Sequence, residues 1–155
     1  MAFAADYAVL FDRLDDELRV AAAPGPDLFA KIIAGACTRL PALNKSSKAA
    51  AVDRLIDAGA WTDAAFALIE LELPAWKVRR LVCEDGEWFC CLSRQPGLPA
   101  TLDDPADASH ELLPLAILLA FLQARRMTGI TPESRALVPA IQAAGIEMIC
   151  CDNFA

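Results

Sequence analysis

The chain has a single histidine, His110, and one tyrosine, and it lacks any C-x-x-C pair, glycine-rich phosphate loop or G-x-S-x-G elbow. Each absence removes a chemistry. A zincin helix needs two histidines four residues apart so that both reach one metal, and the position four after His110 is Pro114. Without the glycine loop or the elbow, neither a nucleotide-phosphate cradle nor a hydrolase-type serine nucleophile is encoded in a familiar form.

Basic charge is short as well: 14 Lys and Arg stand against 21 Asp and Glu, for a formal charge of −7. The acids gather at Asp12, Asp15, Asp16 and Glu17, and again at Asp103, Asp104, Asp107 and Glu111. This balance argues against nucleic-acid binding, which draws most of its affinity from a basic footprint. Two helical stretches joined through Gly59 invite comparison with a helix-turn-helix, but residues 62–73 carry Asp63, Glu70 and Glu72 and no lysine or arginine to meet phosphates.

Long apolar runs are missing too. The longest, residues 112–122, contains Pro114 and falls short of the roughly 18 residues a membrane span needs. The opening Met1-Ala2-Phe3-Ala4-Ala5-Asp6 lacks a basic stretch followed by an apolar one, so no secretory signal is expected and the chain is placed in the cytoplasm. There the six cysteines, Cys37, Cys83, Cys90, Cys91, Cys150 and Cys151, read as reduced thiols that pack as small hydrophobes. Neighbours on a strand point to opposite faces, so the vicinal pairs Cys90-Cys91 and Cys150-Cys151 are poorly set to hold one zinc. No metal and no cofactor are expected.

What the chain has in excess is apolar surface. Hydrophobic residues make up 56% of the sequence, with alanine runs at 21–23 and 49–51 that favour closely packed helices. At 155 residues it has the length of one domain, spanning 1–155, whose folding hides roughly 68–70% of the surface of the unfolded chain.

Helical periodicity dominates. Phe3, Tyr7, Leu10, Phe11, Leu14 and Leu18 form one apolar stripe, predicting a helix over 4–20. Ala23-Pro24-Gly25-Pro26 breaks it, and Asp27 can cap a second helix carrying Leu28, Phe29, Ile32, Ile33 and Leu40. Ser46 or Ser47 caps a third that ends at Gly59, and Thr62 and Asp63 open a fourth that Pro74 closes. Asp104-Pro105 reads as the start of the central helix, with 112–122 buried on all sides and Arg125-Arg126 in its last turn. Thr131-Pro132-Glu133 opens a last helix to about 144, and residues 146–150 form a third strand.

Between residues 76 and 93 the pattern changes to β-branched, aromatic and cysteine residues around Asp85-Gly86. That dipeptide tolerates the positive φ angles of a type I′ turn, so a hairpin is predicted that pairs Glu84 with Glu87, Cys83 with Trp88, Val82 with Phe89 and Leu81 with Cys90. The expected fold is α+β, mostly α, with about six helices, a central antiparallel hairpin and a third, C-terminal strand.

The text around "LSRQPGLP" and "ASHELLPLAILLAFLQARR" resembles conserved hypothetical proteins of alphaproteobacteria. The resemblance implies a bacterial origin and brings no activity with it.

No assembled catalytic set emerges, and the reading leans away from an enzyme. A non-enzymatic interaction domain that self-associates as a homodimer is favoured, because the hairpin shows apolar residues on two faces: Leu81, Trp88 and Leu92 on one, Val78, Val82 and Phe89 on the other. The alternative is a small anionic ligand binding protein, or an enzyme, with a pocket between hairpin and helices. Continuing the predicted register sets Lys77 opposite Arg94 and gathers Lys77, Arg79 and Arg94 on one face, with His110 and Cys91 as further ligand candidates. The competing expectation is that these cations pair with surplus carboxylates such as Asp103, Asp104 and Glu111.

Overall fold

The computed structural model describes residues 2–43 and 46–128. Its elements are α1 (Ala2–Val20), α2 (Pro26–Ala36), α3 (Arg39–Ala42), α4 (Ser47–Asp57), α5 (Trp61–Glu72), β1 (Lys77–Glu84), β2 (Glu87–Ser93), β3 (Ala106–His110) and α6 (Leu113–Thr128). The fold is α+β and mostly α, with six helices and one three-stranded antiparallel sheet among the described residues. The last helix and the strand at 146–150 expected from the sequence lie outside those residues.

The apolar stripe of α1 behaves as its spacing demands. Phe11, Leu14 and Leu18 are buried, whereas Tyr7 and Leu10 sit at its margin. The helix lies close against α2 at Gly35, where an added Cβ would come within 3.1 Å of Leu14 Cδ1. Two expectations for α2 need correcting. It starts at Pro26 with Gly25 as N-cap, which moves Asp27 into the first turn, where its charge suits the helix dipole. It also stops at Ala36, because Cys37 is extended, and Leu40 belongs to the separate short helix α3.

Ser46 caps α4, its side chain accepting the Ala49 N–H. The helix closes in a Schellman arrangement: Gly59 takes φ +73°, its N–H bonds to Ile56 O, and the Ala60 N–H bonds to Leu55 O. The chain then enters α5 at once, and Trp61 stacks on Phe29 of α2.

Asp85 and Gly86 both have positive φ, 53° and 84°, as the type I′ turn requires. The four pairs nearest the turn are those predicted. Beyond them a bulge at Arg79 shifts the register, so Val78 pairs with Leu92 and Lys77 with Ser93. The expected opposition of Lys77 and Arg94 is therefore incorrect, and Val78 moves to the Leu92 face.

The larger correction concerns residues 104–110. Instead of starting a helix at Asp104-Pro105, the chain forms β3, which pairs antiparallel with β2 and sets Leu92 beside Ala106, Cys90 beside Ala108 and Trp88 beside His110. The strand order is β1-β2-β3. The third strand of the sheet is thus drawn from the loop side of the central helix.

That helix, α6, is the centre of the molecule as expected. Residues 115–122 and Ala124 are buried, and α6 packs against α1, α5, β2 and β3. It takes one face of the sheet, the face that carries Cys90, Leu92 and Ala106, all about 1% exposed or less. No described helix is long and apolar enough to cross a membrane.

Candidate functional site

By alternation from the buried face, the opposite face of the sheet carries Arg80, Val82 and Glu84 on β1, Glu87, Phe89, Cys91 and Ser93 on β2, and Asp107 and Ser109 on β3. No described helix packs over this face, but at one end of it Ser93 is fully buried and Cys91 half-buried beside the loop that leads into β3. Phe89, at its middle, stays 38% exposed.

The predicted ligand residues divide around this face. Arg79, the extra residue of the bulge, is held on both ends of its fork: Nη1 donates to Asp103 Oδ2 at 2.8 Å and Nη2 to Leu98 O at 2.8 Å. Asp103 is almost wholly covered, its side chain 4% exposed. The bulge therefore ties β1 to the loop that leads into β3, and the carboxylate expected to compete for this arginine does so.

Cys91 is half-buried beside this clamp. Burial pushes its thiol pKa up, and Asp107 and Asp103 add to the rise against the opposing pull of Arg79 and Arg80. A nucleophilic cysteine needs the reverse environment, one that favours the thiolate.

Arg94 follows β2 and places its guanidinium 5.3 Å from the centre of the Trp76 ring. Trp76 is itself buried, and its Nε1–H finds no acceptor among the described residues. Lys77 is exposed at the start of β1 and, like Arg94, makes no ion pair among the described residues. His110 belongs to the other side of the sheet, opposite Trp88, and its Nδ1 accepts the Leu112 N–H just ahead of α6. The structure brings Arg79 and Cys91 together and separates them from His110.

Between sheet and helix the space is filled by Cys90, Leu92, Ala106 and the wall of α6. Two open grooves lie elsewhere, one along α1 by Val9 and Val20 and one between α1 and α6 by Asp15 and Gln123. Among the described residues no group of His, Cys, Asp and Glu gathers at metal-ligand spacing.

Sequence reading missed the role of Glu72. This buried carboxylate at the end of α5 accepts backbone N–H bonds from Thr38, Arg39 and Leu40 and so caps α3 from another helix. Its signal was an acid set among Leu68, Ile69, Leu71 and Leu73 in an otherwise buried stretch. Nearby, Arg125 Nε donates to Ala36 O at 2.8 Å and holds the end of α2.

No family model, characterised protein or solved structure matches this chain, so the functional reading rests on its own residues.

Proposed function

We propose that this chain is a non-enzymatic interaction domain of a bacterial cytoplasmic protein and that it self-associates as a homodimer through the outer face of the sheet. The observation that carries the reading is Phe89, more than a third exposed between Val82 and Ser109 on the part of the face that no described helix covers. An aromatic ring flanked by a β-branched residue at the centre of an open sheet face is the kind of anchor that protein interfaces use.

Strands of eight, seven and five residues make a face of roughly 14 by 20 Å. That is smaller than the roughly 800 Å² per partner of a standard specific interface, so a weak dimer whose population depends on concentration is expected. Light scattering on a size-exclusion column, run from low micromolar to near millimolar protein, tests the reading. The mass should rise from that of one 16.6 kDa chain towards twice that value. Phe89→Thr, which keeps strand propensity but removes the ring, should hold the protein monomeric with its fold intact. A wild-type mass of one chain at every concentration overturns the dimer.

The anionic-ligand reading loses its best residue, because Arg79 is committed to Asp103 and Leu98. Lys77 and Arg94 remain as exposed cations, and one of these already lies over Trp76.

A further inference from the structure

We infer that the two copies of the homodimer meet side by side and antiparallel along β1, with Val82 of each chain at the two-fold axis and Arg80 of each opposite the partner's Glu84. This geometry rests on the homodimer reading above and joins the two outer faces into one sheet of six strands.

The far side of β1 is an open edge. No described strand lies along it, and α6 sits over β2 and β3, so the helix layer leaves that side clear. Residues that flank a two-residue type I′ turn exchange main-chain bonds, so Glu84, Val82 and Arg80 spend their N–H and C=O groups on β2. Leu81 and Cys83 aim theirs at the open side. Natural edges are guarded by lysine and by bulges, and here Lys77 and the bulge at Arg79 guard only the first half of the strand. Residues 80–84 run regularly, with Leu81 and Val82 half-buried and Cys83 exposed.

Antiparallel pairing about Val82 sets Leu81 opposite the partner's Cys83, and these are the residues whose main-chain groups are open, so the ladder closes as an antiparallel pair requires. Charge matches as well. β1 begins with Lys77, Arg79 and Arg80 and ends at Glu84 beside Asp85, so the two-fold axis lays its basic end on the partner's acidic end. Arg80 already bonds Glu84 along its own strand at 2.9 Å. Across the axis the two such pairs alternate in sign around the paired Val82 side chains, and neither has to break. The rank through Arg80 then reads Asp107, Cys91, Arg80, the partner's Glu84 and the partner's Glu87, which sets each cation between acids. The rank through Val82 is apolar from Phe89 to the partner's Phe89.

Other pairings of the same edge lose this match. Sliding the copy by two residues is the smallest step that keeps every side chain on its own face, and it sets Arg80 opposite the partner's Val82 or the partner's Gly86. Parallel pairing lays Lys77, Arg79 and Arg80 on their own copies. The matched stretch is short, in keeping with a weak dimer.

Dimer dissociation constants of the full chain, measured by light scattering with circular dichroism confirming each fold, test the geometry. Cys83→Pro removes a main-chain donor from the open edge and none from the β1–β2 ladder, so it should weaken dimerisation by about ten-fold or more in a folded chain. Arg80→Glu and Glu84→Arg should each weaken it several-fold, and the double exchange should restore it to within about three-fold of wild type. Val82→Cys, made together with Cys83→Ser, sets two thiols opposite each other at a Cα separation of about 4.5 Å. Mild oxidation should then give a covalent dimer that Cys83→Ser alone does not. A wild-type dimer that Cys83→Pro leaves unchanged, that the double exchange fails to restore or that Val82→Cys fails to lock overturns the side-by-side arrangement and leaves self-association standing. A wild type that stays monomeric overturns both readings.

Discussion

Arg79 Nη1 donates to Asp103 Oδ2 across 2.8 Å, joining the bulge of β1 to the loop that leads into β3. Removing the guanidinium leaves a covered carboxylate without its counter-charge and the Leu98 carbonyl without its donor. Arg79→Ala should therefore cost about 2 kcal/mol in urea unfolding, and a cycle with Asp103→Asn should show that most of this is coupling between the two residues. Because the fork is occupied, phosphate or sulfate should leave the melting temperature of the native protein unchanged. A rise that Arg79→Ala abolishes would mean the arginine exchanges Asp103 for an external anion.

Glu72 supplies the next prediction. Its carboxylate serves three consecutive backbone N–H groups at the start of α3, a helix of only four residues that has no side-chain cap of its own. Glu72→Ala would strand those donors in a buried junction and should destabilise the fold by about 3 kcal/mol. Glu72→Gln keeps one acceptor oxygen and should recover part of that loss. Denaturant midpoints of the two variants give the comparison, and equal midpoints would show that α3 finds other acceptors.

How far the sequence carried depends on the range of the interaction involved. The hairpin was legible because Asp85-Gly86 states its own backbone requirement, and the Schellman end of α4 was legible at Gly59 for the same reason. The bulge was not, since Arg79 answers to Asp103, 24 residues away, and nothing local to β1 announces an extra residue. β3 was misread because Asp104-Pro105 imitates a helix start, while Ala106, Ala108 and Ser109 are poor strand formers. Pairing with β2 and cover from α6 override that propensity. The site candidates were chosen on charge and nucleophilicity, which put Arg79 and Cys91 among them but not the partners that hold Arg79. Asp103 was foreseen only as one of several carboxylates, and Glu72 stayed hidden because its partners are main-chain groups of a distant helix.

Gly86 should be intolerant of a β-branched side chain. A Cβ there would meet nothing within 4 Å, so space is open and the whole penalty comes from holding φ at +84°. Gly86→Val should lower stability by about 1–2 kcal/mol, and Gly86→Asn, which tolerates left-handed backbone, by distinctly less. Thermal unfolding of both variants checks the order, and equal melting points would contradict the turn.

The buried thiols should make stability fall in alkali. Burial pushes both Cys37 and Cys90 up to about 12 from an ordinary 9.0, with Glu72 adding to the rise at Cys37. Below pH 9 folded and unfolded chains both keep these protons, and the thiols leave stability independent of pH. Between 9 and 12 the unfolded chain releases them while the folded one retains them, so unfolding gains up to about 1.4 kcal/mol per pH unit for each thiol. Urea midpoints measured across that interval should therefore decline more steeply for wild type than for a variant carrying Cys37→Ala and Cys90→Ala. The same placement orders reactivity among the four described cysteines: Cys83 is exposed and should alkylate before Cys91 in the native protein, whereas Cys37 and Cys90 should react only on unfolding. Denatured, zinc-free protein should titrate with close to six thiols, the number in the sequence. Parallel alkaline slopes for wild type and the double variant would show that water reaches these two sulfurs in the folded state.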